Sequence, residues 1–111
     1  MTSLLIINVA HRGPEVLISP VGEMDMSNAH ELSDALAAHR APGAAIALDL
    51  SGLSFIDSTG IRLLLEADAA SRANGHNLEF KSPSKAVTRV LEIAGVLDRL
   101  PFAVADPAAT K

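Results

Sequence analysis

The sequence predicts a single α/β domain, with a mixed sheet of four or five strands and helices packed against it. Three observations point there. Two apolar runs, residues 4–9 and 16–19, flank His11-Arg12-Gly13-Pro14, the turn chemistry of an antiparallel hairpin. A third apolar run, residues 45–50, is too short for a helix and lies between two helical patterns. That is the pattern of a βαβ crossover, and so of parallel pairing. Three further stretches repeat apolar residues at i, i+3 and i+4, the period of a helix with one buried face.

Composition limits the functions available. The chain of 111 residues suits one domain, and 49% of it is apolar, enough for a core. Its aromatics are three phenylalanines, so that core must be built from Leu, Ile, Val and Ala. Nine basic against thirteen acidic residues give a net charge of −4, without the basic patch that a nucleic-acid surface needs. With no cysteine, disulfides and thiolate metal sites are excluded. Met1-Thr2-Ser3 carries no charged n-region, residues 4–9 are too short for a signal core, and no apolar run reaches membrane-spanning length. A soluble, cytoplasmic protein with no membrane partner is expected.

Each element has its local justification. Pro20, just past the second strand, has no N–H to give, so this end of the strand is expected at an edge or a bulge. Residues 22–27 read as a loop. Asn28 is the expected cap of the first helix, with Glu31 three residues on, and Ala29, Leu32, Ala35 and Leu36 share a face. Ala41-Pro42-Gly43 stops that helix. After the strand at 45–50, Ser51-Gly52 breaks the run, a short apolar piece follows at 53–56, and a second helix spans about 58–74. Ile61, Leu64, Leu65 and Asp68 or Ala69 set its inner stripe, and Asn74-Gly75 is its left-handed stop. Residues 77–80 alternate as a strand. Ser82-Pro83-Ser84 opens a third helix with Val87, Val90, Leu91 and Ala94 at i, i+3, i+4 and i+7 spacing, and Gly95 ends it. Residues 96–100 form a helical turn closed by Pro101, 102–104 a last short strand, and 106–111 a frayed tail.

The chain is organised around Leu48-Asp49-Leu50-Ser51-Gly52-Leu53-Ser54-Phe55-Ile56-Asp57-Ser58-Thr59-Gly60. Ser58 falls where a strand and loop hand over to a helix, beside the unpaired N–H groups of its first turn. Those groups favour added negative charge. The residues alone leave two roles open for Ser58: a helix N-cap, or a site of modification. Glu23 and Asp25 likewise fit either turn and cap chemistry or a polar loop close to Ser58.

Other chemistries fit poorly. A nucleophile elbow needs Gly-x-Ser-x-Gly, whereas this chain has Ile56-Asp57-Ser58-Thr59-Gly60. His11, His30, His39 and His76 fall in turn, helix and loop contexts, and none is placed as a general base. A phospho-acceptor aspartate at Asp49 or Asp57 would need clustered acids for Mg²⁺, and no acidic pair follows the first strand. His30 and His39 are nine residues apart, not the four of a helical metal pair. No catalytic residue, metal or cofactor is expected.

The central stretch resembles the signature of STAS domains, and more closely that of bacterial anti-sigma factor antagonists. The resemblance extends to Gly22-Glu23-Met24-Asp25 with Ala29 and Glu31-Leu32, and to Ser82-Pro83-Ser84 with Leu91 and Ala94-Gly95-Val96, so it covers nearly the whole of residues 1–111. Pro20 departs from it, because the family carries an ordinary strand residue there. The resemblance implies a protein that is not an enzyme but a switch. Unphosphorylated, it binds an anti-sigma factor that is also a serine kinase. Phosphorylated on Ser58, with Thr59 the lesser candidate, it lets go, and a PP2C-type phosphatase resets it. Glu23, Asp25, Asp57, Ser58, Thr59 and Gly60 are the implied partner surface. An alternative within the resemblance is a STAS module of another assembly, such as a lipid-transport ATPase complex or a stress-signalling scaffold, without phosphorylation.

Overall fold

A computed structural model describes residues 4–100 and 102. The elements run β1 (Leu5–Arg12), β2 (Glu15–Met24), α1 (Ala29–Ala37), β3 (Ala45–Asp49), β4 (Leu53–Ile56), α2 (Ser58–Asn74), β5 (Asn77–Lys81) and α3 (Lys85–Ile93), followed by a 3₁₀ turn at Leu97–Arg99. The five strands form one mixed sheet in the order β1-β2-β3-β5, with β4 also paired to β2. β1 and β2 make the expected antiparallel hairpin, with Leu5 opposite Gly22 and Arg12 opposite Glu15. The remaining pairings are parallel. Phe102 makes a parallel bridge to Phe80, where a last strand was expected, while 103–104 and the expected tail at 106–111 lie outside the described residues.

β2 is the longest strand and is shared along its length. Its first half, Glu15 to Ile18, pairs with β3, and its last residues, Gly22 to Met24, pair with β4. β3 and β4 are thus two pieces lying end to end beside one strand. The break between them is made locally: Asp49 Oδ1 accepts the Ser51 N–H at 2.9 Å and turns the chain. Pro20 falls in the interval between the two partners, so the expected edge position is corrected. β2 is an interior strand, and the missing N–H sits where neither β3 nor β4 pairs. The register irregularity lies further on, between Gly22 and Glu23. Gly22 has φ +114°, and a Cβ on it would stand 2.0 Å from the Leu4 carbonyl oxygen, so only glycine fits there.

The core is aliphatic. Ile18, Leu32, Ile46, Leu48, Leu50, Leu53, Leu64, Val87 and Leu91 are buried with Phe80, and α1 and α2 pack on each other and on the sheet. Of the residues expected inside, Leu48, Leu50, Leu64, Val87 and Leu91 are fully buried, while Ile61, Leu65 and Val90 are half-buried at the margin. α2 is apolar around much of its first half, so spacing alone fixed its rotation poorly. Its innermost line is Gly60, Leu64, Asp68 and Ser71. Asp68 therefore takes the inner position and Ala69 is exposed. The buried Asp68 carboxylate is paired with Arg72 one turn on, as burying a charge demands. α2 ends at Gly75 with φ +74°, the left-handed stop read from Asn74-Gly75.

Leu64→Ala should cost about 2–5 kcal/mol, because it empties a fully buried site where α2 meets the sheet. Denaturant unfolding measures it, and a loss below about 0.5 kcal/mol, the level of surface substitutions, would show that this stripe does not carry the core.

Candidate functional site

Ser58 is the first residue of α2, and the helix cap is its neighbour. Asp57 has extended backbone, φ −106° and ψ −173°, and its Oδ1 accepts the Gly60 N–H at 3.0 Å. Ser58 is therefore not the N-cap. Its side chain is exposed and makes no hydrogen bond among the described residues, so the hydroxyl is presented to solvent. Thr59 is half-buried, the less accessible of the two hydroxyls. Gly60 is buried, and a Cβ on it would lie 2.5 Å from Ile56 Cγ1 and 3.1 Å from Met24 Cε. The absence of a side chain lets the start of α2 press onto the ends of β2 and β4, which fixes Ser58 at the rim of the sheet.

The other Asp57 oxygen reaches across the sheet end. Oδ2 accepts the Met26 N–H at 3.2 Å, tying the loop between β2 and α1 to the first turn of α2. That loop is braced from within. Asp25 Oδ1 accepts the Ser27 amide at 2.9 Å and the Ser27 hydroxyl at 2.6 Å. The Asp25 N–H donates to Asn28 Oδ1 at 2.9 Å, and Asn28 Nδ2 donates to the Glu23 carbonyl at 3.0 Å. Asn28 is buried, with no side-chain cap bond to α1. The expected capping box is thus corrected: the Asn28 side chain turns back to hold the loop, and the Asp25 carbonyl accepts the Asn28 and Ala29 N–H groups instead.

Asp25, Asp57, Ser58, Thr59 and Gly60 therefore come together at the carboxyl ends of β2 and β4, and Glu23 joins them opposite Phe55. Sequence reasoning missed Met26, whose side chain is 79% exposed beside Asp57, and Phe55, 45% exposed beside Glu23. Nothing in the sequence separates Met26 from the fully buried Met24 two residues earlier. The surroundings are acidic, with Glu23, Asp25 and Asp57 close together. A cleft of about 400 Å³ lies elsewhere, lined by Asp68, Arg72, His76 and Arg99, and none of the expected site residues lines it. Among the described residues no group of three or more His, Cys, Asp or Glu is placed to hold a metal ion. No helix among them is long and apolar enough to cross a membrane.

The family described as "Mlab, STAS domain" matches residues 7–101. The chain belongs to the STAS family. It is 29% identical over 105 residues to the anti-sigma-F factor antagonist RsfA of Mycobacterium tuberculosis, covering 91% of this chain and 81% of that protein. Among solved structures, an anti-sigma factor antagonist from Mycobacterium paratuberculosis superposes with a TM-score of 0.70 at 25% identity, covering 96% of this chain and 92% of the other. The phosphorylated form of the Bacillus cell fate determinant SpoIIAA shares the fold, with a TM-score of 0.64 at 21% identity over 95% and 97% of the two chains. The STAS fold thus accounts for the mixed five-stranded sheet, and the curated relatives are regulatory antagonists.

Two outcomes follow from this geometry. Asp57→Ala should cost about 0.5–2 kcal/mol, since it removes the cap of α2, whereas Ser58→Ala should stay within about 0.5 kcal/mol of wild type. Equal losses in thermal unfolding would put the cap back on Ser58. The Asp25 carboxyl is held below its ordinary value of 3.8, first by the Ser27 hydroxyl and then by the Ser27 amide, with a smaller share from the Asn28 amide and desolvation opposing. A depressed folded pKa stabilises above the unfolded value and is lost as pH falls through the folded one. The contribution of the Asp25 carboxylate to the loop should therefore be fully present above pH 3.8 and decline as the pH falls through the lowered folded value. An NMR titration of Asp25 in Ser27→Ala should show its pKa rising back toward 3.8, and an unchanged value would contradict the assignment.

Proposed function

We propose that this STAS protein is an anti-sigma factor antagonist that works by partner switching. Unphosphorylated, it binds an anti-sigma factor serine kinase in the cytoplasm and so frees a sigma factor. Phosphorylated on Ser58, it is released, and a PP2C-type phosphatase restores it. The protein is then a kinase substrate and not a catalyst. The observation that carries this reading is the exposed Ser58 hydroxyl, held at the first residue of a helix on a braced acidic rim. The antagonist names of its mycobacterial relatives support it.

The physics of the modification fits a switch that spares the fold. A phosphate carries a charge of about −1.5 to −2 at neutral pH. At a helix N-terminus that charge is favourable to the helix. Arg62 lies one turn on and exposed, at the i+4 spacing from which a cation reaches a neighbouring anion. A partner docked on this rim meets the opposite situation. Asp25, Asp57 and Glu23 already make the surface negative, and a further dianion must be desolvated and placed against the partner's own groups. Release then follows from electrostatics at the interface, with the domain unchanged. A second reading keeps the same rim as a docking site in another assembly without phosphorylation; the family description, which names Mlab and not an antagonist, favours it over unrelated functions.

Incubation with its anti-sigma factor kinase and ATP should add one phosphate, which peptide mapping places on Ser58. Ser58→Ala should keep kinase binding and block the modification, and Ser58→Asp should weaken binding with little change in melting temperature. Phosphate found on Thr59 alone would move the switch, and no phosphate with a kinase that binds the protein would favour the second reading.

A further inference from the structure

Among the described residues, seven large hydrophobic side chains are exposed, and five of them gather at the Ser58 end of the sheet: Leu4, Ile6, Val21, Met26 and Phe55. Strand alternation on β1 and β2 explains the grouping, together with the register shift on β4 that skips Ser54 and sets Phe55 opposite Glu23, while Met26 lies in the loop beyond β2. Leu5, Met24, Leu53 and Ile56 point into the core beneath the helices. Their neighbours along each strand point to the opposite face. Register then sets them side by side. Ile6 stands opposite Val21, and Glu23 stands opposite Phe55, while the Glu23 N–H donates to the Leu4 carbonyl at 3.0 Å. Leu4, Glu23 and Phe55 therefore form a row about 10 Å wide across three strands, with Ile6 and Val21 as the next row. Leu4 and Ile6 are each 63% exposed. A monomer gains nothing from displaying such a cluster, and a contiguous exposed apolar patch marks an interaction surface.

We infer that this outer sheet face is the second half of the docking surface, and that the anti-sigma factor which touches Ser58 also covers it with apolar side chains around one Lys or Arg that pairs with Glu23. The inference rests on the partner-switching reading. Two observations favour this occupant. Phe55 lies three residues before Ser58, and the Met26 main-chain N–H is tied to Asp57, so the patch adjoins the rim through both segments. Glu23 sits inside the apolar cluster, so whatever covers it must bring a cation or leave a buried charge unpaired. A second copy of this chain fits worse. Self-association about a two-fold axis presents the same patch on both sides, which puts two Glu23 carboxylates and no basic partner into one apolar interface, between chains of net charge −4.

The test uses the intact chain and the purified anti-sigma factor kinase that phosphorylates it. Wild type, Ile6→Ser, Glu23→Arg and Ser58→Asp are titrated by calorimetry, with light scattering to give the oligomeric state. Ile6 and Glu23 are exposed, so both variants should fold, and Leu4→Ser replaces Ile6→Ser if its melting temperature falls. We expect Ile6→Ser and Glu23→Arg each to weaken binding roughly tenfold or more, the size of effect when an interface anchor is truncated. If Ser58→Asp weakens binding while Ile6→Ser and Glu23→Arg match wild type, the outer face is outside the interface and the inference falls, although partner switching stands. If Ile6→Ser and Glu23→Arg weaken binding and Ser58→Asp does not, the face is a docking surface and the phosphorylation reading fails. A wild-type dimer dissolved by Ile6→Ser would assign the face to a second copy and overturn the inference. Failure of the wild-type chain to bind any anti-sigma factor would overturn it together with the reading on which it rests.

Discussion

The Asp57 carboxylate holds the Ser58 end of the molecule together. One oxygen caps α2 through the Gly60 N–H, and the other holds the Met26 N–H thirty-one residues away in sequence. Capping alone is a local matter, satisfying one of the four orphan amides at a helix start. The second bond makes it a tertiary constraint: the position of the β2–α1 loop and the position of Ser58 are set by the same carboxylate. Because Asp57 serves as the cap, the Ser58 hydroxyl is released from that duty and faces solvent. A hydroxyl spent on capping would be a poor target for any modifying enzyme.

The sheet explains why this arrangement sits at one end of the strands. β2 runs past the end of β3 and takes β4 as a second partner, so the carboxyl ends of β2 and β4 stand together beyond β3, beside the start of β1. The two backbone irregularities on β2 fall where that exchange happens. Pro20 occupies the interval in which no parallel neighbour asks for its N–H, and Gly22 takes its positive φ next to the shift that skips Ser54 and sets Glu23 opposite Phe55. Gly60 completes the junction by letting α2 begin in contact with Ile56 and Met24. Position-specific residues without side-chain chemistry of their own thus place the ones that have it. In the partner-switching account the rim and the outer face are one surface, so a charge added at Ser58 acts on a contact that is largely apolar elsewhere.

Much of this was legible in the sequence, for identifiable reasons. The hairpin, the crossover and the helices follow from periods of two and 3.6 residues, and the Asp57-Ser58-Thr59-Gly60 segment carried the family resemblance. What was misread depended on partners distant in sequence. Pro20 suggested an edge or a bulge because its missing donor is visible in the sequence while the division of β2 between two partners is not. Asn28 has the composition of a cap, and only the fold shows that its amide is used by Asp25 and Glu23. The rotation of α2 was blurred by apolar residues on several faces, so Asp68, not Ala69, proved to be the inner residue. Met26 and Phe55 were invisible as surface residues, since an apolar side chain in a strand or loop reads as core until its direction is known.

The account treats phosphorylation as a change in what the surface offers a partner, with the domain itself left as it is. The most direct measurement compares the chain phosphorylated stoichiometrically on Ser58 with the unmodified chain, reading amide chemical shifts and affinity for the anti-sigma factor kinase on the same samples. The account predicts that affinity is lost while shift changes stay within the Glu23–Asn28 loop and the first turn of α2. Equal affinity for the two forms would contradict it and leave Ser58 as the first residue of a helix and nothing more.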